Sequence, residues 1–201
     1  MSDSYLLALD FRGTLDALYS WSAAEQEKLK ALLSYFHDHQ WKIVFASNEE
    51  EENLRHFCVE YQIFEYITAY KSNKNLSKLS PMFADNKMDI LLEEDHTLYF
   101  NDKTHQLKEY AEQFALQKDH IYFFDDVGAF IDLAKAAGFV NAKKVSRTKN
   151  LLACLMELLK KWEVNCDELF KQENFNPSIE KKSEKKFLWF IKNSIARPMV
   201  N

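Results

Sequence analysis

Along the chain, short runs of apolar residues alternate with longer segments in which apolar residues recur every three or four positions. Short apolar runs are typical of buried β-strands, and the wider spacing is typical of helices with one buried face. The short runs predict five strands, at residues 5–10, 42–46, 66–69, 120–124 and 142–145. Strands that alternate with helices form a parallel sheet covered on both faces, so the predicted fold class is α/β.

Several residues predict where the helices begin and end. Ser22 and Glu25 form a capping-box pattern, which predicts the start of the first helix. Thr104 is a candidate cap for the helix before the fourth strand, and Gly138 is a stop signal for the helix after it. The chain has only 3 glycines, so we expect each to lie where the backbone requires one.

The length of 201 residues suits one domain with a small appendage. Residues 1–162 are predicted to form the α/β domain, within which 72–100 form an irregular insert or a small lid. Residues 163–201 combine a highly charged run with the apolar sequence FLWFIKN. This part is predicted to be a helical C-terminal extension, which either packs on the domain or docks a protein partner.

Composition and charge narrow the class of protein. Apolar residues make up 47% and charged residues 28%, an ordinary balance for a globular domain. The net charge of −5 argues against a large nucleic-acid-binding surface. Neither a membrane span nor a signal peptide is predicted. The 3 cysteines are widely spaced, which indicates neither a disulfide framework nor a cysteine metal site, and the predicted location is the cytoplasm.

Polar residues end or follow three of the predicted strands. Asp10 ends the first apolar run, Ser47 follows the second strand, and Asp125 and Asp126 follow the fourth. In a parallel sheet, ligands bind beyond the carboxyl ends of the strands, so these side chains are expected to converge at one edge. Two neighbouring acids after an apolar strand favour a bound cation between them.

Four segments carry a specific family resemblance. They are LALDFRGTL, IVFASN, a lysine, and IYFFDDVGAFIDLAKAAGF, in that order. Together they resemble the motifs of the haloacid dehalogenase (HAD) superfamily, over about residues 5–162. The resemblance implies a Rossmann-like three-layer α/β/α sandwich, here with little or no cap domain. It also implies a Mg²⁺-dependent phosphohydrolase or phosphotransferase that forms an aspartyl-phosphate intermediate.

The resemblance assigns roles to residues of the first two segments. Asp10 matches the nucleophile, and a carboxylate suits phosphoryl capture because it is ionised at neutral pH. Gly13 supplies the turn over the phosphate, and Thr14 matches a backbone-orienting hydroxyl. Ser47 matches a hydroxyl that binds a phosphoryl oxygen, and Asn48 beside it is assigned to the same phosphate site.

The resemblance also implies a lysine that neutralises the phosphate and the nucleophile together. Lys103 is the preferred candidate because it opens the helix that leads into the Asp-Asp strand. Lys71, Lys74 and Lys78 lie earlier in the chain and remain alternatives.

The implied metal is Mg²⁺, which prefers oxygen ligands. Its ligands would be Asp10, the backbone carbonyl of Arg12 and Asp126, with Asp125 adjacent in support. Two positions depart from many relatives, because Val127 and Phe130 stand where polar side chains are common. Weaker metal binding than usual is therefore expected.

Arg12 is the main departure from the phosphatase pattern, which has a second aspartate at this position as general acid and base. An arginine has only hydrogen-bond donors and keeps its proton. Loss of a positioned acid or base typically lowers a rate by about 10²–10⁴-fold. Arg12 is retained as a candidate catalytic residue that acts as a cation, beside Asp10, Ser47 and Lys103.

Two functions therefore remain open. The preferred one is a HAD-like phosphohydrolase or phosphotransferase acting on a phosphorylated substrate. A site with little or no cap is open enough to admit a macromolecule as that substrate. The alternative is a catalytically impaired HAD-like pseudoenzyme that serves as a phospho-ligand or protein-binding module. The set Asp10, Ser47, Lys103 and Asp126 favours the enzyme, and the missing acid favours the alternative.

Overall fold

The structure of the chain is a computed structural model, which describes residues 4–16, 21–71, 103–146 and 150–172. The predicted insert at 72–100 lies outside the described residues. So do residues 173–201 of the predicted C-terminal extension.

Five parallel strands form the central sheet of the described chain, in the order β3-β2-β1-β4-β5. The strands are β1 Leu6–Leu9, β2 Lys42–Ala46, β3 Ala69–Lys71, β4 Ile121–Asp125 and β5 Asn141–Lys144. In the register of the sheet, Leu9 lies between Phe45 of β2 and Phe124 of β4. The three central strands therefore end side by side.

Helices cover both faces of this sheet and give three layers. They are α1 Ala23–Asp38, α2 Glu51–Glu60, α3 Lys103–Gln113, α4 Gly128–Ala136, α5 Leu151–Lys161 and α6 Cys166–Gln172. The buried side chains of α1, α2 and α5 form one core with one face of the sheet. Those of α3 and α4 form a second core on the opposite face. The predicted α/β fold with a parallel sheet is confirmed.

The central strand β1 belongs to both cores. Leu7 and Leu9 point into the first core, whereas Leu6 and Ala8 point into the second. Successive side chains of a strand face opposite sides, so a strand buried on both faces is apolar throughout. This explains why the first apolar run shows no polar alternation.

Most of the predicted helix signals are present in the structure. Ser22 caps α1, and its side chain and that of Glu25 form both hydrogen bonds of the capping box. Gly138 follows α4 with φ of +96°, in the left-handed region that ends a helix. Asn150, which the sequence interpretation overlooked, caps α5 through the N–H of Ala153.

Two local predictions are wrong. The third strand covers Ala69–Lys71 instead of 66–69, because Phe64–Tyr66 form a short 3₁₀ turn. Thr104 does not cap α3, since the helix already includes Lys103 and buries both residues.

The described start of the C-terminal extension packs on the domain. Val164, Cys166, Leu169 and Phe170 lie against the first core, and the ammonium group of Lys28 in α1 lies 5.5 Å from the Phe170 ring centre. None of the helices in the described part of the chain has the length and apolar character that a membrane crossing requires.

Candidate functional site

The order of the strands locates a crevice at one edge of the sheet. From β1 the chain first adds β2 and β3 on one side, and then β4 and β5 on the other. Loops that leave two neighbouring strands in opposite directions separate and open a crevice at their carboxyl ends. Asp10 follows β1 and Asp125 ends β4, so both residues lie at the crevice between the carboxyl ends of these two strands.

Three carboxylates meet in this crevice. Asp10, Asp125 and Asp126 each have an oxygen in a group whose members lie within 4.8 Å of one another. Asp10 and Asp125 are buried, and Asp126 is half-buried. The acids expected to share one edge are therefore close enough to bind one cation.

Lys103 connects two of these acids. Its Nζ lies 2.6 Å from Oδ1 of Asp10 and 2.7 Å from Oδ2 of Asp125, and the side chain is buried. The same ammonium group lies 4.9 Å from the centre of the Phe130 ring, within the range of a cation–π interaction. Phe130, which the sequence interpretation took as thinning the support of a metal, thus contacts the lysine.

Of the four candidate lysines, Lys103 is the one whose side chain the structure describes. Lys71 is the last residue of β3, and its side chain is not described. Lys74 and Lys78 lie outside the described residues.

The acids carry more negative charge than Lys103 offsets. Burial raises the pKa of Asp10 from 3.8 to about 6, and the charge of Asp125 adds to the increase while Lys103 opposes it. Burial and the charge of Asp125 also raise the pKa of Asp126. A further cation near these carboxylates would therefore be stabilised.

The donor set fits a hard divalent ion such as Mg²⁺. Asp125 is already engaged, because its Oδ2 accepts from Lys103 and its Oδ1 accepts from the N–H of Val127 at 2.7 Å. Asp10 is engaged in a similar way, because it accepts from Lys103 and from the backbone N–H of Phe11. Hydrogen bonding therefore does not separate Asp10 from Asp125 as a metal ligand. Gly13 makes room for this arrangement, because a Cβ at that residue would overlap the Asp126 carboxylate.

The loop after Asp10 is tightly turned. The carbonyl oxygen of Phe11 accepts hydrogen bonds from the N–H groups of Leu15 at 2.8 Å and Asp16 at 2.9 Å. Gly13 has φ of +73°, and its N–H donates to Oδ1 of Asp16 at 2.6 Å. The predicted turn at Gly13 is present. The buried hydroxyl of Thr14 has no hydrogen-bond partner among the described residues, so it does not orient the backbone here.

Ser47 lies at the end of β2 and is buried. Its Oγ accepts from the N–H of Glu49 at 3.2 Å, and its carbonyl oxygen accepts from Nε2 of Gln106 at 2.9 Å. Asn48 is half-buried directly after it. Ser47 is thus held from the loop on one side and from α3 on the other.

The Arg12 side chain is exposed and pairs with Glu49, which follows β2. Its Nε donates to Oε2 of Glu49 at 2.7 Å, and its side chain is 77% exposed. The hydrogen bond to Glu49 and the charge of Glu49 raise the pKa of Arg12. Burial opposes ionisation of Glu49, but hydrogen bonds from Asn53 and Arg12 outweigh it, and the pKa of Glu49 is lowered. Both groups of the pair are therefore charged.

Glu49 and Gln106 were missed by the sequence interpretation. Gln106 lies one helical turn after Lys103, and this spacing puts the two on the same helix face, so a signal for it existed. Glu49 follows Ser47 and Asn48 in a loop, where the sequence contains no spacing rule that would pair it with Arg12.

Comparison with known proteins supports the fold and adds no function. No protein-family model matches the chain, and no curated protein matches it. Among solved structures, the chain is similar to an uncharacterized protein from Corynebacterium glutamicum ATCC 13032 Kitasato, with a TM-score of 0.53 and 14% sequence identity. The similarity covers 80% of this chain and 96% of that protein. At this identity it supports the α/β fold alone.

Proposed function

We propose that the protein is a HAD-like, Mg²⁺-dependent phosphohydrolase or phosphotransferase with Asp10 as its nucleophile. The observation that carries the proposal is the position of Lys103 Nζ, 2.6 Å from Asp10 and 2.7 Å from Asp125, in a cluster that includes Asp126. With a pKa of about 6, Asp10 is mostly ionised at pH 7 and can attack phosphorus.

The proposed reaction has two steps. A carboxylate oxygen of Asp10 forms a bond to phosphorus, and the bond from phosphorus to the ester oxygen breaks, so that the alkoxide leaves with the electron pair. Water, or another acceptor hydroxyl, then forms a bond to phosphorus, and the bond from phosphorus to the Asp10 oxygen breaks. The electron pair returns to the Asp10 carboxylate, and the proton of the acceptor passes to solvent water. Lys103 lies close enough to Asp10 to stabilise the charge that develops on the phosphoryl oxygens.

Asp10 and Asp126 would hold Mg²⁺, and the ion would supply charge neutralisation at the phosphoryl group. Gly13 allows the Asp126 carboxylate to lie against the loop that carries Asp10. Ser47 lies at the same edge of the sheet and is the proposed hydroxyl donor to the phosphate. Among the described residues its Oγ only accepts, from the backbone N–H of Glu49, so its own proton is available to donate.

The absence of a carboxylate at position 12 restricts the substrates. Arg12 cannot protonate a departing alkoxide, so water has to supply that proton. Alkyl esters need a general acid, and its loss should slow their reaction by about 10²–10⁴-fold. We therefore propose that the protein prefers substrates with acidic leaving groups, such as aryl or acyl phosphates, which leave without being protonated. A cytoplasmic location is part of the proposal.

The experiment is hydrolysis of an activated aryl phosphate with Mg²⁺ by wild type and Asp10→Asn. We expect turnover by the wild type and its loss in Asp10→Asn, because the amide is a poor nucleophile. Asp132→Asn is the matched control, since Asp132 is an exposed acid on α4, and it should retain wild-type turnover. Equal turnover by wild type and Asp10→Asn would end the proposal.

A second candidate function is a pseudoenzyme that binds a phospho-ligand or a protein. Arg12 favours it, because its guanidinium supplies neither an acid nor a base and is paired with Glu49. Calorimetry with Mg²⁺ and beryllofluoride distinguishes the two candidates. Binding of this phosphoryl mimic that requires Asp10 and Mg²⁺ supports the enzyme, and binding of phosphate without either supports the pseudoenzyme.

A further inference from the structure

Arg12 has one edge occupied and the other edge open. Among the residues that the structure describes, Arg12 forms one hydrogen bond, from its Nε to Oε2 of Glu49 at 2.7 Å. The side chain is 77% exposed, and a guanidinium group has four further N–H donors on its two terminal nitrogens. The terminal nitrogens are therefore available for a second oxyanion.

Glu49 is itself fixed, so it holds Arg12 in one orientation. The Glu49 side chain is only 8% exposed, and its Oε1 accepts a hydrogen bond from Nδ2 of Asn53 at 2.7 Å. Asn53 belongs to α2, which anchors the carboxylate to a regular element. A guanidinium held along one edge presents its other donors with little further loss of side-chain entropy.

The location of Arg12 connects it with the proposed reaction. It lies two residues after Asp10, in the tight loop that also carries Gly13. The negative charges of Asp16 and Asp10 both contribute to raising the pKa of Arg12. Because the Arg12 side chain is 77% exposed, solvent screens its ion pair with Glu49 and the pair contributes little to stability. The acids at positions 10, 125 and 126 would repel an anionic substrate, and the exposed cation of Arg12 counteracts that repulsion.

We propose that Arg12 binds a second anionic group of the substrate, so that the preferred substrates are phosphate esters whose leaving group carries a carboxylate or another phosphate. The inference rests on the proposed function, because it takes Asp10 as the position of the phosphoryl group. Glu49 is the positioning residue of this subsite. It orients the guanidinium without contacting the substrate.

The test is calorimetry of the full chain with Mg²⁺ and two ligands of nearly equal size, phosphoglycolate and ethyl phosphate. Two longer ω-carboxyalkyl phosphates, paired with alkyl phosphates of equal length, cover different spacings between phosphate and carboxylate. We expect at least one carboxylated ligand to bind the wild type about 10- to 100-fold more tightly than its neutral partner, since hydrogen bonds between ions are strong. Arg12→Met should reduce this preference to less than about threefold.

Arg55→Met is the matched control. Arg55 also forms an ion pair with a glutamate at 2.7 Å, Glu51, but this pair lies within α2. The Arg55→Met protein should keep the wild-type preference. No preference in the wild type, no binding of any of the ligands, or an equal preference in Arg12→Met would each overturn the inference.

The outcome is separable from that of the proposed function. Hydrolysis of the aryl phosphate that is lost in Asp10→Asn supports the reaction, whether or not Arg12 selects the ligand. A binding preference that depends on Arg12 without any hydrolysis supports the subsite and counts against the enzyme.

Discussion

Gly13 is the residue that permits the acids to approach the loop after β1. Its φ of +73° lies in the left-handed region, and a Cβ would occupy the space of the Asp126 carboxylate. Both features come from a single position with no side chain. The sequence predicted the turn, but the contact with Asp126 joins residues more than a hundred positions apart and required the structure.

We expect Gly13→Ala to have two effects. The strained backbone should lower the free energy of unfolding by about 1–2 kcal/mol. Displacement of Asp126 should also weaken Mg²⁺ binding, so that Mg²⁺ raises the Tm of the variant less than that of the wild type. Thermal unfolding with and without Mg²⁺ measures both effects.

Gly138→Ala is the control for this variant. Gly138 also has a positive φ, +96°, but its neighbour at the Cβ position is Lys118, away from the acids. It should lose comparable stability and keep the full response to Mg²⁺. An equal response to Mg²⁺ in both variants would show that Gly13 has only a backbone role.

Phe130 has a contact in the structure that its residue type did not indicate. From the sequence, an apolar residue at this position predicted weaker support for a metal, and that prediction remains untested. In the structure the ring lies 4.9 Å from Lys103 Nζ, so it contacts the lysine. A buried cation–π contact contributes up to about 2 kcal/mol. Chemical type alone could not indicate which partner the side chain would contact.

At the scale of elements, α3 is fixed to β2 by two side chains. Gln106 donates to the carbonyl of Ser47 at 2.9 Å, and Tyr110 donates to the carbonyl of Phe45 at 2.7 Å. With Lys103 these residues share one face of α3, since they are spaced by three and four positions. The two hydrogen bonds therefore position the helix that carries Lys103 against the strand that carries Ser47.

The two hydrogen bonds should differ in their effect on ligand binding. Gln106→Leu and Tyr110→Phe each remove a buried hydrogen bond, and each should lower the free energy of unfolding by about 1–3 kcal/mol. Gln106→Leu should in addition weaken the binding of Mg²⁺ and beryllofluoride about tenfold, because Ser47 loses its support. Calorimetry and thermal unfolding of both variants give the comparison.

Tyr110→Phe is the matched control, since its hydrogen bond lies one helical turn farther from the site. It should bind the phosphoryl mimic nearly as tightly as the wild type. If the two variants bind equally well, Gln106 contributes to packing and does not position Ser47.

The strands were predicted well where all residues of an apolar run belong to the sheet. Strand β2 has the predicted bounds, Lys42–Ala46, because its residues after the half-buried Lys42 are buried on both faces of the sheet. Strand β3 was misplaced because Tyr66 and Ile67 are apolar for another reason: they pack against the first core outside the sheet. The N–H of Thr68 already bonds to Ile43, but regular pairing starts only at Ala69.

Long-range pairs were the part of the site that the sequence left open. Lys103 was one of four candidate lysines, because spacing does not show which amine reaches Asp10. The ion pair of Arg12 with Glu49 was not foreseen, since it depends on how two loops at neighbouring strand ends are turned. Residue types at strand tips are readable from the sequence, whereas their partners depend on tertiary packing.

In the whole molecule, the two ends of the sheet have different compositions. Tyr5, Trp41 and Tyr122 lie at the amino ends of the strands, and their rings pack on one another at centroid distances of 4.9–6.3 Å. The Trp162 ring packs on Tyr5 at 4.7 Å and on Trp41 at 5.7 Å. The carboxyl ends carry buried charges. Apolar contacts at one end thus stabilise a fold that accommodates like charges at the other.

The buried acids should make the metal-free protein less stable as the pH rises. The folded pKa of Asp10, about 6, exceeds the usual value of 3.8, so the folded state binds more protons between these values. The stabilising effect of the protonated carboxyl is complete below 3.8 and is lost as the pH rises through about 6. Asp10→Asn removes this dependence, and at pH 8 it should stabilise the metal-free protein by up to about 3 kcal/mol.

Thermal unfolding of the full chain without metal tests this expectation. For a chain of this size, each kcal/mol changes the Tm by about 2–4 °C, so Asp10→Asn should melt several degrees above the wild type at pH 8. Near pH 4 the two proteins should melt together. Added Mg²⁺ at pH 8 should reverse the order, because only the wild type retains the Asp10 carboxylate as a ligand. A Tm difference that is the same at both pH values would mean that Asp10 is not destabilised by its burial among the other acids.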